Sequence, residues 1–363
     1  MSLLMLIWAC QSEKTQADNL YRFYEELQED ALVFGYEQGN WSEDYGDAAA
    51  FGPTYYVYSG QEMQNEEYLR IAQESADYNL SVVQKSVEEN AWMIDNMEEV
   101  FMTTQGLIEY LGVIPNADSA SSLDSLIGRL DLMLQFSGDY IEVEVGEFAS
   151  NLYGPTSITA GFAIIQLQYA KYIDSQSGHL ERAKEVVHTI DEIAWNENHY
   201  RFGRDVDTLY LYPNATMMIT LNRMYLLTGD QQYLDKAELI YQGVQPLYND
   251  SMQLYFSPYS QEAEGAQTDE YSTLSSQNYL ILGLLLTYEN TGDTVYLEEA
   301  TQLLQRIKEL LYDEQEGKIV HHWVDGRPAD HDDRSFFCSG CNLQVLYLLW
   351  YLKERLGVDL QQE

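Results

Sequence analysis

The chain has 363 residues, 45% of them hydrophobic, which is ample for a large core. Acids outnumber bases 59 to 19, a formal charge of −40. A surface of that sign repels phosphate backbones and anionic lipid, which argues against nucleic-acid partners; it keeps a protein soluble in salty surroundings or draws cationic ones. Thirty tyrosines, each with an apolar body and a hydroxyl, suit a core that contains wet clefts.

The chain opens on a short apolar run, Leu3 to Ala9, followed by Cys10. This resembles a bacterial lipoprotein signal, in which a small residue precedes the lipidated cysteine. Trp8 is bulkier than usual there, and no Lys or Arg precedes the run. The run is too short to span a bilayer. Residues 1–15 are therefore expected to be a signal remnant and tether, with Cys10 as the lipidation point of an exported, membrane-anchored protein. A cytoplasmic protein with an apolar tail is the alternative.

Ala17 to Leu32 reads as an amphipathic helix, with Leu20, Phe23, Tyr24 and Leu27 on one face. From there the chain alternates between two kinds of helix. One kind is apolar almost all round: Asp47 to Tyr58, Ala91 to Leu111, Thr156 to Tyr172, Asn214 to Leu227, Ser275 to Tyr288 and Cys341 to Leu356. The other is striped: Glu66 to Val87, Leu123 to Phe136, Leu180 to Ala194, Tyr233 to Leu247 and Tyr296 to Leu311. A helix apolar on all sides is buried and a striped one covers it, so these are inner and outer helices. Tyr140 to Val145 alternates apolar and acidic residues and reads as a short strand.

Thr228-Gly229-Asp230 with Tyr233-Leu234 and Ala237 repeats as Thr291-Gly292-Asp293 with Tyr296-Leu297 and Ala300; Ser59-Gly60 and Ser177-Gly178 are looser copies. Glycine supplies the positive φ that ends a helix, and Asp can cap the next one. The returns from outer to inner helix are longer and carry strand-like pieces: Tyr200 to Phe202, Leu254 to Phe256 and Lys318 to Val320. Six inner helices with five following partners leave the N-terminal helix to close the ring. The expected fold is all-α: a single domain over residues 16–358, an (α/α)6 toroid of six helical hairpins, with short β-hairpin loops at one mouth.

The Thr-Gly-Asp-x-x-Tyr-Leu-x-x-Ala turns resemble those of family 76 glycoside hydrolases and of the acylglucosamine 2-epimerase group. Both are six-hairpin proteins, and the likeness covers most of residues 16–356. Thr273 to Tyr279 is similar in placement to the Asn-bearing inner-helix starts of that superfamily. The resemblance implies a glycan-active protein. The adjacent Asp-Asp pair that family 76 enzymes carry at an inner-helix start has no clear counterpart here; Asp332-Asp333 is adjacent, but lies in the loop of the last repeat.

In a toroid the loops before the inner helices all open on one mouth, where acids gather in this chain. Asp47, Asp207, Asp269 and Asp332 are the candidate catalytic carboxylates, since glycoside cleavage needs one acid and one ionised partner across the scissile bond. Carboxylates there also stabilise helix N-termini. Trp41, Tyr153, Tyr210, Tyr271 and Trp323 could stack on sugar rings or fill the mouth as packing. Arg204 and Arg327, with Arg201 and Arg334, could pair with local acids or clamp an anionic sugar. His331, Cys338 and Cys341 could hold zinc, form a disulfide in an exported protein, or be plain buried packing. The histidines could also move protons in an epimerase. No cofactor is expected, with zinc left open.

The sequence reading is thus an exported glycoside hydrolase acting on an oligosaccharide or polysaccharide as a monomer. A silent glycan- or protein-binding toroid, or a sugar epimerase, are the alternatives.

Overall fold

The structure, a computed structural model, describes residues 20–28, 36–37, 40–41, 47–88, 94–136, 138, 140, 154–204, 206, 208–261, 266–324, 327–328 and 338–360. Its helices are α1 (20–28), α2 (Asp47–Glu62), α3 (Glu66–Glu88), α4 (Ile94–Val113), α5 (Ala117–Phe136), α6 (Pro155–Tyr172), α7 (His179–Ala194), α8 (Leu211–Thr228), α9 (Gln231–Val244), α10 (Leu274–Thr291), α11 (Thr294–Leu311) and α12 (Ser339–Trp350). A π-helical turn, Tyr351–Arg355, extends the last. No helix among the described residues is long and apolar enough to cross a membrane.

The even-numbered helices form the inner ring. Each packs on the next, α2 on α4, α6, α8, α10 and α12 in order, and α12 returns to α2. Every residue of α10 from Leu274 to Thr287 is buried, as is every residue of α12 from Ser339 to Leu349. The outer helices α3, α5, α7, α9 and α11 are striped, as the sequence pattern requires of a covering layer. This is an (α/α)6 toroid. The N-terminal helix takes the sixth outer place. Leu20, Phe23 and Leu27 are buried, Phe23 meets Tyr312 edge-on at 5.1 Å, Lys308 of α11 lies over Phe23, and Lys353 lies over Tyr24.

The short turns follow the repeated motif. Gly229 and Gly292 adopt φ of +69° and +72°, and each donates its N–H to the helix behind it. Asp230 and Asp293 cap α9 and α11 by accepting from Gln232 N and Val295 N. Ser59-Gly60 differs from its expected role. Helix α2 runs through both and stops at Glu62, and Asn65 caps α3 through its side chain. A Cβ on Gly60 would sit 3.0 Å from Leu69, so this glycine serves the close approach of α3.

The long returns carry small antiparallel pairs: β1 (Tyr36–Glu37) with β2 (Asn40–Trp41), β3 (Trp195–Asn196) with β4 (His199–Tyr200), β5 (Tyr248–Asn249) with β6 (Leu254–Tyr255), and β9 (Tyr312–Asp313) with β10 (Lys318–Ile319). A larger sheet was not foreseen. Strands β7 (Ser257–Gln261), β8 (Ala266–Thr273), β11 (His322–Val324) and β12 (Arg327–Pro328) join in the order β12-β11-β8-β7 and link the last two returns. Of the expected strand Tyr140 to Val145, Tyr140 is a buried bend whose hydroxyl meets the Thr156 hydroxyl at 3.0 Å; residues 141–145 lie outside the described residues.

One device fixes three of these returns to the ring. The fourth residue of an inner helix is an amide that grips one return residue on both sides. Asn214 accepts from Tyr200 N and donates to Tyr200 O; Gln277 does the same with Tyr255, and Asn342 with Ile319. A buried amide saturated in this way holds the strand in one register.

Candidate functional site: an axial cleft

The inner helices begin at one end of the toroid, the mouth, and enclose a cleft along the axis. Its upper part has about 310 Å³ of empty space, bounded by Phe101, Met102 and Gln105 of α4, Ser157 and Ile158 of α6, and Tyr212 and Tyr279 of α8 and α10. The lower part, about 390 Å³, is lined by all six inner helices and shares Gln105, Ile164 and Tyr279 with the upper. One aromatic wall runs along it. Tyr212 packs on Tyr279 at 4.7 Å, Tyr279 on Phe51 at 6.5 Å, and Phe51 on Tyr347 at 5.8 Å.

The lower part ends on a charged cluster. Glu109, 4% exposed, accepts from the Tyr58 hydroxyl at 2.7 Å and from the Gln168 amide at 2.6 Å. Arg223 lies 3.9 Å from the same carboxylate oxygen that Gln168 reaches. Burial, with the Glu109 charge beside it, pushes the Tyr58 phenol far above the ordinary tyrosine range, so it remains a donor. Burial holds Tyr347 protonated likewise. Lys171, one turn from this cluster, is held below its usual range by desolvation and by the Arg223 charge.

The residues singled out by sequence sit elsewhere. Asp47 is the first residue of α2, and Trp41 lies in β2. Asp269 and Tyr271 lie in β8, Trp323 in β11 and Arg327 in β12, so four candidates share the mouth-side sheet, Trp323 opposite Ser272 and Val324 opposite Tyr271. Tyr210 precedes α8, and its half-buried ring packs on Phe202 at 4.9 Å, with burial raising its pKa. Arg204 is exposed, and its carbonyl accepts from Arg201. Cys10, Tyr153, Asp207, His331, Asp332 and Arg334 lie outside the described residues.

Cys338 and Cys341 stand at the start of α12, buried and joined as a disulfide. The histidine beside them is His321, with its ligand atoms and both sulfurs within 4.8 Å of one another. As a disulfide the pair has no thiolate to offer zinc, so the oxidised site does not fit a metal.

Sequence reasoning missed Gln105, Glu109, Gln168 and Arg223. Their signal is a polar residue recurring four positions apart inside an apolar helix, as in Gln105 and Glu109. It also passed over Glu88-Glu89, the adjacent acids at the exit of α3 and ahead of inner helix α4.

The sequence profile of glycosyl hydrolase family 76 matches residues 139–345, more than half of the chain. The chain belongs to glycosyl hydrolase family 76. No curated protein matches it in sequence. Among solved structures, a family 76 α-mannanase of Bacteroides thetaiotaomicron superposes with a TM-score of 0.64 at 15% identity, covering 92% of this chain and 97% of that one. A D-mannose isomerase gives 0.67 at 10%, covering 93% and 97%, and an unsaturated glucuronyl hydrolase specific for heparin gives 0.67 at 12%, covering 96% and 100%. At these identities the likeness is one of fold. It extends to a fellow family 76 chain and to two toroids outside the family's name.

Proposed function

We propose that this family 76 chain is an exported glycoside hydrolase that cleaves a glycan at the toroid mouth with a pair of carboxylates. The observation that carries the reading is the family match over a cleft of suitable shape. Ligand clefts are lined by aromatic and apolar side chains with a few placed polar groups, as this lining is. The described lining has one carboxylate, Glu109, which is engaged with Tyr58, Gln168 and Arg223. The acid and its ionised partner therefore come from the rim.

Acids stand before or at the start of the inner helices: Asp47, Asp207, and the adjacent pairs Glu88-Glu89, Asp269-Glu270 and Asp332-Asp333. Trp41, Tyr153, Tyr210, Tyr271 and Trp323 supply sugar-stacking faces, and Arg204 and Arg327 polar contacts. The test is hydrolysis by the parent across a glycan panel that includes α-mannan, followed by single Asp→Asn and Glu→Gln variants at these positions. Loss of turnover by a hundredfold or more in two variants that still bind the glycan supports the hydrolase. Full activity in every variant refutes the rim assignment.

Binding without turnover in the parent would favour a silent binding toroid. An epimerase or isomerase would need proton-transfer bases on both sides of the sugar, and no histidine lines the described cleft. We take the protein to act as a monomer anchored through Cys10. A native mass that includes residues 1–9 refutes the anchor.

A further inference from the structure

The disulfide at the start of α12 sits against a buried histidine that plays no part in the bond. Cys338, Cys341 and His321 are 2%, 0% and 6% exposed, and one ring nitrogen of His321 and the two sulfurs lie within 4.8 Å of one another. The Cys-x-x-Cys spacing puts the two Cα atoms 5.3 Å apart, a separation that a disulfide accepts. The same spacing is one by which paired thiolates take zinc. Cys338 is the N-cap of α12, and its sulfur accepts from Cys341 N at 2.9 Å. A helix N-terminus and an N–H donor both favour sulfur as thiolate. As a staple the bond does little, since it joins residues only three apart and loop-closure stabilisation grows with loop length.

Opening the bond changes the chemistry of the cluster. A dithiol reductant passes two electrons and two protons to the sulfurs and leaves as its own disulfide, so that Cys338 and Cys341 become thiols. Two sulfurs and an imidazole nitrogen are then a donor set for zinc, and not for calcium or magnesium, which take oxygen. Binding displaces the two thiol protons. Two thiolates and a neutral imidazole cancel the double charge of the ion, which suits a site where a net charge would be costly. At zinc bond lengths the donor atoms stand roughly 3.5–3.8 Å apart, a spacing this cluster reaches by small side-chain shifts once the sulfurs separate. Three protein ligands leave the fourth tetrahedral position to water.

We propose that reduction of the Cys338–Cys341 bond opens a zinc site with His321, Cys338 and Cys341 as ligands, so that disulfide and metal exclude each other. The glycan reading is not needed for it. The two states differ in what they tie together. The disulfide joins two residues of one helix terminus. Zinc also holds His321, whose carbonyl accepts from Leu274 N at 2.8 Å and whose neighbour His322 pairs with Thr273 in the mouth-side sheet. The Cys341 carbonyl in turn accepts from Asn278 of α10 at 3.0 Å. The ion therefore links the root of β11 to α12, and the disulfide does not. A disulfide oxidant reverses the change: it takes two electrons, the sulfur–sulfur bond re-forms and the ion departs.

The experiment uses the full chain carrying Cys10→Ser, which removes the third cysteine. One sample is kept oxidised. The other is reduced with a dithiol and freed of it by gel filtration without oxygen. Both are titrated with Co2+, whose sulfur-to-metal charge-transfer band reports thiolate ligands and ignores the many surface carboxylates, and then with Zn2+ in competition. Circular dichroism verifies the fold. The expected result is one Co2+ per reduced chain with that band, displaced by Zn2+ and not by Ca2+, and no band in the oxidised chain. His321→Ala should weaken binding at least tenfold, and the double variant Cys338→Ser, Cys341→Ser should abolish the band. Free Zn2+ at a thousandfold excess over its Kd should raise the Tm of the reduced chain by about 5 °C. No band in the reduced chain, an equal band in the oxidised one, or less than tenfold weakening in folded His321→Ala overturns the proposal. So does a reduced chain that loses its helical signal and does not regain it with Zn2+. Glycan turnover enters none of these readouts, so failure here leaves the hydrolase reading standing, and failure of that reading leaves the zinc site standing.

Discussion

Glu109→Ala is the sharpest test of the closed end of the axis. The carboxylate is buried, takes two hydrogen bonds of 2.7 and 2.6 Å, and lies 3.9 Å from Arg223. Truncation leaves a phenol, an amide and a guanidinium facing a void. Removing one partner of a buried charge cluster costs about 3–5 kcal/mol, because the remaining charge stays desolvated and unpaired. Unfolding entropy of about 2.1 cal/mol/K per residue gives about 0.76 kcal/mol/K for 363 residues, so Tm should fall by about 4–7 °C. Differential scanning calorimetry reads the shift. Glu109→Gln retains an acceptor oxygen and should recover part of it. A drop of less than about 1 °C for the alanine variant would mean that these contacts do not hold the floor together.

Gly292→Ala should cost about 1–2 kcal/mol, since a Cβ there meets open space and only the positive φ is strained; Gly243→Ala should cost more, because its Cβ would collide with the Asn198 carbonyl, and equal losses in denaturant melts would refute the distinction. Glu299 is half-buried, with its pKa raised above 4.5 by desolvation although the Tyr255 hydroxyl donates to it. The folded state therefore holds the proton longer than the unfolded chain, and stability falls as pH rises from 4.5 through the folded value. Glu299→Gln should flatten that part of the Tm–pH curve and raise Tm above it; an unchanged slope would refute the assignment. Thiol titration of the denatured, unreduced chain should find no free thiol at Cys338 or Cys341, leaving Cys10 as the one titratable cysteine in unlipidated protein and none in lipidated protein; two or more free thiols would contradict the Cys338–Cys341 bond.

The hairpin order was legible because burial on all sides and burial on one side leave different patterns. Leu280 to Leu286 carries no polar residue, whereas α11 shows apolar residues at helical spacing. The turns were legible because Gly229 and Gly292 need a conformation that few other residues accept. The sheet across the mouth was not. Its central pairing joins Tyr271 to Val324, and nothing in β8 announces a partner so far along the chain. The amide clamp was hidden because one of its three members is Gln277 and the others Asn214 and Asn342. The cleft floor was hidden for a subtler reason. Gln168 and Arg223 are among a few polar residues in helices that read as core, and only the ring turns both to Glu109. The rim acids stayed ambiguous because a sequence does not show which residues of different repeats face one another.

The two ends of the toroid are built on different principles, which explains why family and fold were readable before chemistry was. The ring depends on its first and last segments meeting. α12 packs back on α2, and α1 seals the outside seam, with Phe23 against Tyr312 and Lys308 and with Tyr24 under Lys353. That closure uses apolar area and aromatic edges, interactions that many sequences satisfy, and toroids 10–15% identical to this chain share the fold. The mouth is different. Three of its returns are anchored at one residue each by an inner-helix amide, and the last two also pair with each other in the β12-β11-β8-β7 sheet. A scaffold that fixes the root of a loop and leaves its tip open can exchange rim residues without repacking the core. On the proposed hydrolase reading, reaction type resides in the rim carboxylates, while the deep polar cluster of Tyr58, Glu109, Gln168 and Arg223 belongs to the inner helices themselves.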